Sequence, residues 1–174
     1  MKGNVNEFWV GITAEELHQV WDGQLQPIPQ ELIPAAVSPE VRRLLTEVGL
    51  PTAEVMGINF VFDSRLSSTV SQNGHDYLAV TDTWPIPFAV DTQSDWVVEF
   101  DQHDPEHTRF FNTDLATLIL FLGRLWRVTS RETASEALAD LAEIRLALCS
   151  VDPAAMAEGA AWCLWLDDLE SQIR

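Results

Sequence analysis

The stretch from residue 69 to residue 100 leaves the chain little choice of topology. Asn73-Gly74 joins Thr69-Val70-Ser71 to Tyr77-Leu78-Ala79-Val80, and Asn-Gly between such segments is the strongest short hairpin signal, because both residues tolerate positive φ. Two further strands are expected at Ile86 to Val90 and at Trp96 to Phe100. The turn formers Asp82-Thr83-Trp84-Pro85 and Asp91-Thr92-Gln93-Ser94-Asp95 separate them. Parallel pairing needs a crossover of a dozen or more residues, and connections this short exclude it. The segment reads as an antiparallel meander. Upstream, Ile58, Phe60 and Phe62 alternate with Asn59, Val61 and Asp63, which places the start of sheet at Ile58.

Helices flank the meander. Thr13 and Glu16 form a capping box ahead of Leu17, Val20 and Trp21, and Asp22-Gly23 ends the helix. Pro27, Pro29 and Pro34 then keep residues 24 to 37 extended, with Leu25, Ile28, Leu32 and Ile33 as apolar anchors. Ser38-Pro39-Glu40 opens a second helix with Val41, Leu44, Leu45 and Val48 as its stripe, closed by Gly49 and Pro51. After the polar stretch 101–109, Asn112-Thr113-Asp114 starts a third helix with Leu115, Leu118, Ile119, Leu122 and Leu125 on one face. Thr133 and Glu136 cap a fourth, and Asp152-Pro153 is expected to begin a fifth, with Trp162 and Trp165 as packing residues. Helices, strands and helices without βαβ alternation mean α+β: a curved antiparallel sheet of about five or six strands with helices packed against it. The expected division is an α+β domain over residues 1–128 and a C-terminal helical extension, 129–174, packed on it.

At 174 residues, 47% of them hydrophobic, the chain buries roughly 70% of its unfolded surface, enough for a core without staples. Cys149 and Cys163 belong to no closely spaced pair and read as buried free thiols in a reducing cytosol. No apolar run resembles a signal peptide or a membrane span, so a cytoplasmic location is expected.

The charge separates the function classes. With 27 acidic and 10 basic side chains the net charge is −17, which removes the main driving force for nucleic acid and anionic membranes and favours encounter with a basic protein. No phosphate cradle and no nucleophile elbow is present. His103 and His107, around Pro105, make a poor metal site, and no cofactor is implied. Asp63, Asp82, Asp91, Asp95 and Asp101 recur at strand ends, where aspartate forms turns as readily as acid/base pairs. Trp84 and Trp96 stand among these acids. An exposed tryptophan ringed by carboxylates suits a basic protein partner; the competing reading puts both rings in the core.

The order of these pieces carries a resemblance. Leu44-Leu45-Thr46-Glu47-Val48-Gly49-Leu50-Pro51, then Tyr77 to Val80, Trp84-Pro85, Ile86 to Asp91, Trp96 to Asp101, and Phe110 to Leu115 leading to Phe121-Leu122 are similar to the series found in the SUKH superfamily. The likeness is to its fourth subfamily of bacterial immunity proteins. It covers about residues 13 to 125. Members often carry a glycine in the turn that here reads Gln93-Ser94-Asp95. The resemblance implies a non-enzymatic α+β binding module that neutralises a cognate polymorphic toxin, often a nuclease or nucleic-acid deaminase. The expected partner surface comprises Asp82, Trp84, Asp91, Asp95, Trp96 and Asp101. A regulatory or scaffold module of the same superfamily is the alternative, and an enzyme built on the acidic strand ends or the two histidines is a third reading. The sequence does not give the oligomeric state.

Overall fold

The computed structural model describes residues 7–9, 11–82, 87–100, 104 and 108–174. Five strands form the main sheet in the order β5 (Val70–Gln72), β6 (His75–Ala79), β7 (Phe88–Asp91), β8 (Val97–Glu99) and β9 (Arg109–Asn112), each antiparallel to its neighbour. Two small antiparallel ribbons accompany it, β1 (Glu7–Trp9) with β2 (Ile12–Thr13) and β3 (Leu25–Gln26) with β4 (Leu50–Pro51). The helices are α1 (Ala14–Trp21), α2 (Pro39–Glu47), α3 (Leu115–Val128), α4 (Ala134–Val151) and α5 (Ala161–Ile173).

The caps lie where the sequence puts them. The side chains of Thr13, Ser38, Asp114 and Thr133 accept from the backbone N–H groups of Glu16, Val41, Thr117 and Glu136, relieving the orphan donors of each helix start. After α2, Gly49 turns at φ +91, and a Cβ there would stand 1.9 Å from the carbonyl oxygen of Gln26. That close approach lets β4 pair with β3.

Helix α3 is the central beam, buried from Leu115 to Gly123 without interruption. Gly123 admits α1: a Cβ at this position would meet Val20 and Trp21 at 2.8 Å. The Trp21 indole donates to the carbonyl of Ile119 at 3.0 Å, so the large ring crosses α3 with its polar atom satisfied. The inner face of the sheet supplies Leu78, Phe88, Val90, Val97 and Phe111 to the main core, which also takes Leu141, Ile144 and Leu148 from α4 and Trp162 and Leu166 from α5. One continuous core therefore crosses residue 128. A smaller cluster, Tyr77, Ala89, Val98 and Phe100, covers the outer face.

Several expectations need correction. Residues 58 to 63 form no strand, only isolated bridges Val55↔Ile58 and Phe60↔Thr81, because the segment lies against the chain beyond β6 rather than extending a ladder. Strand β9 is a component the sequence reading passed over, since Phe110-Phe111 sits directly against a helix start. Asp152-Pro153 does not open α5. The Asp152 side chain instead accepts from the Ala155 N–H at 3.2 Å in a reversal, and the helix begins at Ala161. Cys149 is exposed and Cys163 half-buried, both free, so the pair is not a pair of core thiols. Among the described residues no helix is long and apolar enough to cross a membrane.

Candidate functional site

Antiparallel connectivity decides which of the candidate residues share a surface. The β5–β6 and β7–β8 turns emerge at one end of the sheet, together with the start of α3; the β6–β7 and β8–β9 connections emerge at the other. Asp91, Asp95 and Trp96 therefore lie at one end and Asp82 at the opposite one. Trp84, Asp101, His103 and His107 fall outside the described residues.

At the first end the turn is built by Asp91. Its backbone N–H donates to the carbonyl of Trp96 at 2.9 Å, and its own carbonyl accepts from Asp95 at 2.8 Å. The Asp91 side chain, 5% exposed, accepts from the Gln93 N–H at 3.0 Å and the Ser94 hydroxyl at 2.8 Å, and meets His75 Nδ1 at 2.9 Å. Gln93 reaches the Gly74 carbonyl at 2.8 Å, clamping the two turns together. Asp91 is thus buried in the turn, on the outer face of the sheet beside His75 and Tyr77, and holds the turn in shape.

Asp95 takes the left-handed conformation, φ +63, which is the conformation a glycine would supply. Aspartate is among the few side chains that tolerate it. Its carboxylate accepts a hydrogen bond from Ser38 at the start of α2. Even so, partial burial, then the charges of Glu40 and Asp91, push the Asp95 carboxyl above its ordinary value. Negative charge is dense here, and a cation brought to it would be favoured. Next to Asp95, Trp96 is 49% exposed. Its ring meets Phe110 edge-on at 5.2 Å, which fixes the indole while leaving one side to solvent. The core reading of Trp96 does not hold, because Val97, not Trp96, takes the inward position of β8.

At the opposite end Asp82 belongs to an ion-pair group. Arg65 binds both Asp63 and Asp82 at 2.9 Å, so two acids share one guanidinium. All three side chains are exposed.

A second group of acids sits inside the molecule. Asp152 Oδ2 accepts from the Asn112 side chain at 3.0 Å and the Thr113 N–H at 2.9 Å, and Trp162 donates to Asn112 at 2.9 Å. This buried chain of hydrogen bonds ties β9, the turn after α4, and α5. Asp114, nearby, bonds the Thr117 N–H and hydroxyl. Burial, then the charge of Asp152, raises its carboxyl above the ordinary value.

Among the described residues no three His, Cys, Asp or Glu side chains are placed to hold a metal ion. A cavity of about 430 Å³ between α1, α3 and α4 is lined by ion pairs internal to the fold, Arg124 with Glu16 and Arg131 with Asp140. At the first end of the sheet Trp96 is held half in solvent beside the Asp95 carboxylate.

A family model described as SUKH-4 immunity protein matches residues 12–170. The match reaches beyond residue 125, so α4 and nearly all of α5 belong to the family's pattern rather than to an appendage outside it. Comparison with curated proteins and with solved structures gives no match.

Proposed function

The chain belongs to the SUKH-4 immunity protein family, and from that premise we propose that it binds a basic toxin domain, a nuclease or nucleic-acid deaminase, and neutralises it without chemistry of its own. Membership implies toxin immunity and a toxin protein as partner; the surface and the charge of that partner are our reading. The observation that carries it is Trp96, half exposed, braced by Phe110 and flanked by Asp95. An indole in this setting supplies buried area at small entropic cost, and the carboxylates around it supply steering. Asp91 contributes by holding the turn. Asp82, shared with Asp63 by Arg65, offers the same partner a weaker field from the far end of the sheet; Trp84 and Asp101 are the other two residues proposed for the surface.

Affinity capture of the tagged chain from its own cells, at low and at high salt, tests this. The expected result is a basic domain that inhibits growth when expressed alone and is silenced by co-expression of this chain. Recovery of signalling or cell-wall proteins only, with no toxic domain, would replace immunity by a regulatory role.

A further inference from the structure

Three of the nine arginines of this acidic chain, Arg124, Arg127 and Arg131, line one cavity. It lies between α1, α3 and α4, holds about 430 Å³, and has Val20, Leu120 and Ile144 as its apolar wall. That volume falls within the range of small-molecule pockets, about 300 to 1,000 Å³. Each guanidinium is anchored on one side. Arg124 gives Nη2 to Glu16 at 3.1 Å, and its Cζ stands 4.9 Å from the centre of the Phe121 ring. Arg131 gives Nε to Asp140 at 2.5 Å. Arg127 gives Nε to the Val20 carbonyl at 2.9 Å and Nη2 to the carbonyl of Gln19. The other N–H groups of the three meet no acceptor among the described residues.

The partners of these arginines decide the sign of the ligand. Arg127 meets no carboxylate, only carbonyls of the last turn of α1, whose charge is partial, so its own is left over. Glu16 and Asp140 each take one donor and leave the rest of the fork open. Both pairs stand in water, with Arg124 32% and Arg131 46% exposed, and such pairs contribute little; they orient the guanidiniums without consuming them. Glu143, the third acid of the lining, is exposed and makes no ion pair among the described residues. A guanidinium is a rigid fork that matches oxyanions. A carboxylate, with two oxygens in one plane, is served by a single fork. A phosphate monoester brings three terminal oxygens and close to two negative charges, and so employs three. The apolar wall fits an organic body attached to it.

We infer that this cavity is a binding site for a phosphate monoester with an apolar body, the phosphate held among Arg124, Arg127 and Arg131 and the body laid on Val20, Leu120 and Ile144. The site shares no residue with the Trp96 end of the sheet. It therefore goes beyond toxin binding and gives the chain a small-molecule ligand of its own.

The test titrates phenyl phosphate into the full chain at neutral pH and physiological salt, where a Debye length of about 8 Å screens most of the overall negative charge. Calorimetry gives the affinity, and the arginine Nε–H resonances locate the ligand. Saturable binding at one site should shift the signals of Arg124, Arg127 and Arg131 and leave that of Arg145 in place. Arg127→Gln should weaken binding by about tenfold. Because Arg127 also ties down α1, Arg131→Gln, on the connection beyond α3, gives a second reading and should weaken binding in the same direction. Glu16→Gln with Asp140→Asn frees the competing edges and should tighten binding, whereas the same loss of charge beside Arg145, Asp167→Asn with Glu170→Gln, should leave it unchanged. Absence of saturable binding would overturn the inference, as would binding indifferent to Arg127→Gln and Arg131→Gln, or equal tightening by the two double variants, which would make the attraction one of overall charge. Benzoate bound as tightly as phenyl phosphate would overturn the choice of phosphate, and inorganic phosphate bound as tightly would overturn the role of the apolar wall.

Discussion

Asp152 and Asp95 both stand in chain reversals, one after α4 and one before β8, and they are put to opposite uses. Asp152 is sealed in the interior with its oxygens filled by Asn112, Thr113 and Ala155. Asp95 stays at the surface, with Glu40 and Asp91 as neighbours of the same sign. The first is bound so fully that nothing is left for a partner; the second keeps a surplus of negative charge. A net charge of −17 therefore says little about any one acid. What separates structure from recognition is whether donors within the chain already satisfy the carboxylate.

That contrast breaks first at Asp152. Asp152→Ala strips the partner from three donors, two of them buried, and should cost about 3 kcal/mol, read as a lowered midpoint in urea unfolding with the slope unchanged. Equal stability would mean the joint between β9 and α5 is held by apolar contacts alone. At the other region the effect should move from stability to binding. Trp96→Ala removes an exposed anchor and should weaken toxin binding by about 2 kcal/mol, some thirtyfold, while the unfolding free energy changes by about 1 kcal/mol or less. Titration calorimetry and denaturation on the same variant separate the two.

A smaller effect sharpens the comparison inside the buried group. The folded Asp114 carboxyl titrates above its ordinary value of 3.8, so between that value and the raised one the folded state holds the proton more tightly than the unfolded state. Its contribution to stability is present below that window and is lost as pH rises through it. Asp114→Asn keeps an N-cap acceptor, should change stability at pH 7 by less than about 1 kcal/mol, and should flatten the acid limb of the stability profile. The smallest change is expected for Asp82→Asn. Arg65 keeps Asp63, the site is exposed, and stability should move by about 0.5 kcal/mol or less, with a correspondingly modest loss of association rate at low salt.

Local chemistry explains which parts of this molecule could be read from sequence. Caps at Thr13, Ser38, Asp114 and Thr133, and the Asn73-Gly74 turn, involve residues within three or four positions of each other, so their signal lies in short words. The meander was legible because its connections are too short for anything else. Strand β9 was not, since Phe110-Phe111 satisfies a strand and a helix lead-in equally and pairing with β8 is a tertiary decision. Asp152 misled for the same reason: Asp-Pro is a good helix start, and only the distant Asn112 and Thr113 reveal the other use. Residues 58 to 63 show the converse, an alternating pattern that the fold uses for two bridges and a buried edge.

The candidate surface was legible in residue type and not in arrangement. Trp96 beside acids is visible in the sequence; the burial of Asp91 within its turn, the placement of Asp82 at the far end, and the left-handed Asp95 are products of register and of the α2 cap at Ser38.

The most direct test of the account is protection of cells that express the toxin captured with this chain, comparing the wild type with a Trp96→Ala, Asp95→Asn double variant. The account expects the double variant to fail to protect while its circular dichroism and unfolding midpoint stay close to those of the wild type. Full protection by a folded double variant would contradict it.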